Sequence, residues 1–391
     1  MSDGTRPLDG VRVLEVGQLL AGPFAGTYLG YFGADVVKVE PPSGDPIRSW
    51  RLLDDDGTSL WWRSLARNKR SIALDLRTAD GRDEFHRLVG AADVLIENFR
   101  PGRMEEWGLG PDVLRAEDPR LVYARISGFG QTGPYRERPG YAAVCEAMGG
   151  LRHLIGHPDA APVRANLSLG DTLGGLHAAL GILLALRHRD QTGQGQVVDV
   201  ALTEAVFNVL ESVVPEHDRF GVSRPPSGTT VTGIVPSNAY PCTGGRWVVI
   251  GANGDSIFRR LMATIGRDDL ADDPGLKGNP GRVARASELD GAISDWTGAR
   301  SAEEVSRILE AVAVPVGRIY DAAELRADPH FEARGLFEEV EVRGKPLTVG
   351  ALAPRLELTP GRTVSAGPDL DADRISILGD WLPSRGPTSA T

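Results

Sequence analysis

Asp171 stands in Ser168-Leu169-Gly170-Asp171, ahead of a long apolar segment, and a carboxylate there is of a type that can act as a nucleophile. Leu173, Leu176, Ala179, Leu180, Leu183 and Leu184 recur at three- and four-residue spacing, which predicts a helix over 172–188 with this stripe as its apolar face. The unpaired N–H groups and macrodipole at such a helix start favour negative charge and would keep Asp171 ionised. An Asp before a helix is also an ordinary N-cap. Its surroundings must therefore decide between the two roles.

Other candidates sit at strand ends. Gly17-Gln18-Leu19-Leu20-Ala21-Gly22-Pro23 follows the first expected strand, but it is neither G-x-G-x-x-G nor a phosphate-binding loop with Lys-Ser/Thr. Pro23 suits a first helical turn, and that N-terminus is able to hold an anion. Glu40 falls where a ribose-binding acid would sit, a weak sign of NAD without the glycines. Arg67-Asn68-Lys69-Arg70 reads as a solvated basic loop. Asn98-Phe99-Arg100-Pro101-Gly102-Arg103 follows another strand at its carboxyl end, where open α/β sheets bind ligands. Its two Arg suit phosphate and its Phe suits a purine. Gly128-Phe129-Gly130-Gln131-Thr132-Gly133-Pro134 reads as a turn, and His177 as a satisfied helix histidine, since no G-x-S-x-G supplies a serine nucleophile.

Composition narrows the classes. At 391 residues, 41% hydrophobic and 25% charged, the chain is long enough for two globular domains. A net charge of −10 disfavours nucleic acid and membrane surfaces as partners. No apolar stretch approaches the ~18–20 residues of a membrane span, and the polar residues 1–7 carry no signal core, so a cytoplasmic location is expected. The two cysteines, Cys145 and Cys242, have no metal or redox spacing and are expected reduced and buried. The seven histidines show no ligand spacing, so no metal is expected. Lysine occurs only at Lys38, Lys69, Lys277 and Lys345, leaving arginine as the main cation.

Positioning these residues requires alternating elements. Strands are expected at 11–16, 35–40, 71–76, 93–97, 121–126 and 196–201, with helices at 23–31 and 79–89 and a further helix after 201. That alternation implies a parallel sheet covered on both faces. A hairpin over 238–242 and 247–252, with helices at 255–265, 287–296 and 301–311, reads as a separate α+β unit. Ser301 and Glu304 form a capping-box pattern. Strands at 336–342 and 347–353 and a helix at 371–382 return the chain, and the tail 383–391 is expected to be unstructured.

Taken together, these segments resemble CoA-transferase family III, which includes formyl-CoA and carnitine CoA-transferases and α-methylacyl-CoA racemase. The resemblance is carried by Pro7-Leu8-Asp9-Gly10-Val11-Arg12-Val13-Leu14-Glu15, Ala21-Gly22-Pro23 and Gly33-Ala34-Asp35-Val36-Val37-Lys38-Val39-Glu40. It continues through Asn68-Lys69-Arg70-Ser71-Ile72-Ala73-Leu74-Asp75, Asp93-Val94-Leu95-Ile96-Glu97-Asn98-Phe99-Arg100-Pro101-Gly102, Gly170-Asp171 and Thr192-Gly193-Gln194-Gly195-Gln196. It implies an α/β fold: a Rossmann-like large domain made from both chain ends (1–215 and 335–391), a smaller α+β middle domain (225–328), and an interlocked homodimer.

The resemblance also implies roles. Asp171 matches the catalytic aspartate, while Gln18, Leu19, Ala21, Leu74, Asn98, Phe99 and Tyr141 match CoA contacts. Pro41 and Glu106 replace basic residues found in some members, so Arg100 or Arg103 is expected to meet the CoA phosphates. Tyr141 stands where the racemase branch has a His, and 227–233 lacks the glycine run of oxalate-using enzymes. The stretches 235–241 and 248–258 look most like transferases that use succinyl-CoA and glutarate, hydroxymethylglutarate or similar dicarboxylates. Expected substrates are thus an acyl-CoA and a small carboxylic acid. The alternatives are an acyl-CoA racemase or isomerase, oxalate- or carnitine-type transfer, and a non-catalytic CoA-binding protein.

Overall fold

The computed structural model describes residues 6–382; residues 1–5 and the tail 383–391 lie outside them. The chain divides into two compact units. One comprises the residues through Leu151, Ala165–Glu211 and those from Phe331 onward; the other comprises Arg152–Arg164 and Ser212–His330.

The first unit is built on six strands: β1 (Arg12–Glu15), β2 (Asp35–Glu40), β3 (Lys69–Ala73), β4 (Val94–Glu97), β5 (Val122–Ser127) and β6 (Val197–Ala201). Its helices are α1 (Ala21–Tyr31), α2 (Leu60–Leu65), α3 (Ala79–Val89), α4 (Arg103–Glu106), α5 (Pro111–Glu117), α6 (Ala142–Met148), α7 (Leu169–Thr192) and α8 (Leu202–Phe207), with a C-terminal helix Arg374–Trp381. All six strands are parallel, in the order β3-β2-β1-β4-β5-β6. This is the doubly wound order, and it reverses between β1 and β4. Successive side chains point to opposite faces. Val13, Val36, Val94 and Val122 meet α1 and α7 on one side. Leu14, Val37, Leu95 and Tyr123 meet α3 and the C-terminal helix on the other.

Helix α7 departs from expectation in three ways. It begins at Leu169 with Ser168 as N-cap, so Asp171 lies inside the first turn rather than ahead of the helix. Its core side is a row of small residues, Gly170, Gly174, Gly175, Ala178, Ala179 and Ala185, with Ile182 and Leu186. A Cβ on Gly175 would lie 2.7 Å from the Ala21 carbonyl oxygen, so glycine is what lets α7 approach α1. Of the expected stripe, Leu176, Leu180, Leu183 and Leu184 point away, between 36% and 62% exposed, while Ala179 is buried. Finally, at 24 residues with a mean hydropathy of 1.5 over its apolar window, α7 is long and apolar enough to cross a membrane, contrary to the expected absence of such a stretch. Its small-residue face instead packs into the core of the sheet.

In the second unit, strands β7 (Ser237–Pro241), β8 (Trp247–Gly251) and β9 (Val316–Arg318) form an antiparallel sheet in that order. Helices Asp255–Thr264, Ala286–Gly298 and Ala302–Ala311 pack on it through Leu261, Ile293 and Leu309. Ser301 caps the last of these by accepting the Glu304 N–H at 3.1 Å. The reciprocal capping box occurs instead at Asp321 and Glu324.

Candidate active site

The sheet's reversal places the carboxyl ends of β1 and β4 side by side, and the residues after them are locked together. Asn98 Oδ1 accepts the Gln18 N–H at 2.7 Å, and Asn98 Nδ2 donates to the Gln18 carbonyl at 2.8 Å. Asp45 accepts the Leu19 N–H at 3.1 Å, and Lys38 Nζ donates to the Gly17 carbonyl. Leu19 is thereby held at φ 63°, a backbone conformation uncommon for a branched side chain. No hydrogen bond from the described residues engages the Gln18 side-chain amide; its backbone alone is clamped.

The clamp stands on buried charge. Lys38 pairs with Glu15 and Asp45, each at 3.1 Å, and Glu15 also takes Lys69 at 2.7 Å. Burial pushes the Glu15 carboxyl up, but Lys69 and Lys38 outweigh it and hold the group below the usual carboxylate range. Burial likewise pulls the Lys38 ammonium down, and Asp45 and Glu15 outweigh it. The basic run expected to be a solvated loop is therefore structural. Lys69 opens β3 as a buried ion-pair partner, Arg67 is buried, and Arg70 pairs with Asp35 at 2.6 Å. Glu40 is no ribose ligand, since Arg48 and Ser71 occupy its oxygens at 2.6–2.7 Å.

Phe99 continues from Asn98 and packs edge-on against Trp107 at 5.3 Å, while its N–H donates to Glu97 at 2.7 Å. Arg103 pairs with Glu106 at 2.7 Å, and Arg100 is exposed. Ala21 is the buried first residue of α1. The Leu74 side chain belongs to the core beneath the sheet, which leaves its backbone as the part near the strand end. Tyr141 is the N-cap of α6 and 73% exposed. Gln18, Leu19, Ala21, Asn98 and Phe99 thus converge at the switch point, whereas Arg103 and Tyr141 are surface residues on flanking elements.

Asp171 is positioned by α6 and α7 together. The Gly170 N–H donates to Glu146 Oε1 at 3.1 Å, which ties the first turn of α7 to the buried Glu146 of α6. A Cβ on Gly170 would meet Ala142 and Glu146 at 3.3 Å, so glycine permits this approach. Burial, then Asp171 and then Glu146 push the Cys145 thiol up to about 11. A thiol, not a thiolate, sits there, so Cys145 is no nucleophile. Its Sγ donates to the Gly128 carbonyl at 3.3 Å, and Thr203 Oγ1 donates to the same oxygen at 3.1 Å, so the glycine-rich loop after β5 braces α6 and α8. His177 Nδ1 lies 2.8 Å from the Leu173 carbonyl, the partner of an ordinary helix histidine. Both cysteines are free and buried, and no cluster of metal-ligating residues occurs among the described residues.

Residues 8–374 match the model of CoA-transferase family III. The chain belongs to this family. It is an enzyme of the CoA-transferase type, as its named relatives are. A succinyl-CoA–D-citramalate CoA-transferase of Chloroflexus aurantiacus is 46% identical, over 96% of this chain and 94% of its own. A succinate–glutarate CoA-transferase of Agrobacterium fabrum is 35% identical over 96% and 95%. The crystal structure of a CaiB/BaiF family protein from Brucella suis superposes with a TM-score of 0.86, at 34% identity, covering 96% of this chain and all of that one.

Glu146, Lys38 and Asp45 escaped the sequence reading of this transferase. Lys38 did carry a signal, a lone lysine inside the apolar run Val36-Val37-Lys38-Val39. Glu146 carried none, because its partner is the backbone of another helix.

Proposed function

We propose that the protein moves CoA from succinyl-CoA to a short carboxylic acid, a dicarboxylate, by way of Asp171. The carrying observation is the placement of Asp171 in the first turn of α7, anchored through Gly170 to Glu146. Helix α7 also packs on α1 where Gly175 meets Ala21, next to the clamped Gln18 loop.

Asp171 attacks the thioester carbonyl, the C–S bond breaks, and an aspartyl–acyl anhydride forms with release of CoA thiolate. The thiolate attacks the Asp171 carbonyl of that anhydride, expelling the donor acid and leaving a β-aspartyl-CoA thioester. The acceptor carboxylate attacks this thioester and releases thiolate, which then attacks the acceptor's carbonyl. Asp171 is thereby regenerated and the acceptor leaves as its CoA thioester. Thioester and anhydride are of similar acyl potential, so the cycle needs neither ATP nor metal. Each tetrahedral oxyanion needs a fixed donor, and losing one typically costs about 3 kcal/mol. The side-chain amide of Gln18, on a loop immobilised by Asn98, Asp45 and Lys38, is such a donor.

CoA binding is assigned to Gln18, Leu19, Ala21, Leu74, Asn98, Phe99 and Tyr141, with Arg100 for phosphate; the Arg103 pair with Glu106 makes it the weaker choice. The same reading includes a homodimer of interlocked subunits, and the exposed leucines of α7 are the surface a second copy would cover. Hydroxylamine tests the intermediate: with succinyl-CoA present, the enzyme should yield an Asp171 hydroxamate. No hydroxamate during active transfer would contradict the scheme.

A further inference from the structure

A cavity of about 230 Å³ opens beside the first turn of α7. Ser168 and Thr172, which bracket Asp171 in the chain, lie on its wall. Arg51, Trp61, Ser64 and Arg67 line it as well, and no acidic residue does. Most of the remaining wall is apolar.

Two cations in a wall without acids call for an anion. Arg67 is only 5% exposed; its Nη1 donates to the Gly350 carbonyl at 2.5 Å, but its Nε is buried with no hydrogen-bond partner. Burying a cation without a carboxylate partner is costly unless a ligand supplies the counter-charge. Glu338 is the carboxylate that acts on Arg67 at longer range, but its oxygens take Tyr31 Oη at 2.9 Å and the Thr363 N–H at 3.1 Å. Arg51, held at φ 63°, lays its guanidinium 3.8 Å over the Trp61 ring. No ion pair joins either arginine to a carboxylate among the described residues. Stacking fixes the Arg51 plane while leaving its N–H edge free for a carboxylate. The volume falls below the roughly 300–1,000 Å³ of pockets for drug-sized ligands, which suits a chain of a few carbons.

We propose that this cavity is the acyl-chain subsite, and that Arg51 and Arg67 read the distal carboxylate of a short dicarboxylic acyl group. Apolar wall residues hold the intervening methylenes, and the reacting carbonyl is left toward the turn that carries Asp171. The assignment rests on the transferase reading above. It adds which residues make the enzyme prefer diacids.

The test compares succinyl-CoA with butyryl-CoA, which has the same chain length without the second carboxylate, in the wild type, Arg67→Met and Arg51→Met. Both variants should lose about 10- to 100-fold in kcat/KM for succinyl-CoA, as expected for removing a hydrogen bond to a charged group. The preference for succinyl-CoA over butyryl-CoA should fall by a similar factor in each variant. Arg51 lies on an exposed loop, so its variant remains informative if loss of the buried Arg67 disturbs folding. Parallel losses on both donors in Arg51→Met, or an unchanged preference, would overturn the subsite while leaving the transferase intact. A wild type that transfers from neither donor and forms no hydroxamate would instead overturn the transferase reading, and the subsite with it.

Discussion

Asn98 holds Gln18 by both of its backbone groups, accepting the N–H at 2.7 Å and donating to the carbonyl at 2.8 Å. One side chain thus joins the two strand ends at which the sheet order reverses. Asn98→Ala strips both bonds, and Asn98→Asp keeps the acceptor but loses the donor. The Ala variant is expected to lose about 1–3 kcal/mol of stability and about tenfold or more in kcat, with the Asp variant between it and wild type. Urea unfolding and steady-state transfer would check this, and an Ala variant neutral in both would show that the clamp does not hold the loop.

Close packing of α7 on α1 gives a second expectation. Gly175→Ala places a Cβ 2.7 Å from the Ala21 carbonyl oxygen and 3.0 Å from Phe24 Cβ, so the helices must separate. Overpacking of this kind typically costs about 1–3 kcal/mol. Gly291, inside helix Ala286–Gly298, has nothing within 4 Å of an added Cβ. Gly291→Ala should therefore raise stability by about 0.5–1 kcal/mol. Opposite shifts in thermal midpoint for the two variants are the expected result.

Acid should weaken the first unit through its buried carboxylates. Burial pushes Glu40 up, but Arg48 outweighs it, with help from Lys38 and Ser71, and holds the group below its ordinary value of 4.5. Glu15 is depressed likewise. Folded carboxyls with depressed values contribute stability that is complete above about 4.5 and lost as pH falls through the lowered values. The urea midpoint should thus fall once pH drops below about 4.5, the ordinary value of both groups, and keep falling through their lowered values. Glu40→Gln should lower stability near neutrality by up to about 3–5 kcal/mol and flatten the acid limb.

Exposed leucines on α7 bear on assembly. A double change, Leu180→Glu with Leu184→Glu, touches residues 56% and 62% exposed and should leave the folded chain intact. Light scattering should report a dimer for the wild type and a lower mass for the variant. Equal masses would remove this face from the interface.

Much of the first unit was legible because parallel strands buried on both faces leave unbroken apolar runs such as Val36-Val37 and Leu95-Ile96. Helix α3 lies where the sequence placed it, at about 79–89, and the structure adds Thr78 as its cap. Helix α7 misled for a physical reason. Its core face is mostly Gly and Ala, with Ile182 and Leu186, while Leu176, Leu180, Leu183 and Leu184 lie outside. Asp171 was found as a residue yet misplaced by one turn, because Ser168 begins the helix earlier. The run from Arg67 to Arg70 looked solvated because its counterions, Glu15 and Asp35, sit on strands 35–54 positions away, and pairing across a sheet leaves no local mark. Arg51 and Glu146 carried no pattern at all; only the folded chain brings them beside α7.

The most direct test is mass spectrometry of the Asp171 peptide after acid quench of the enzyme turning over succinyl-CoA and a dicarboxylate acceptor. The account predicts a CoA-thioester adduct on that peptide in the wild type, with both adduct and transfer lost in Asp171→Ala. Transfer near the wild-type rate in Asp171→Ala, or rapid turnover with an unmodified Asp171 peptide, would contradict it.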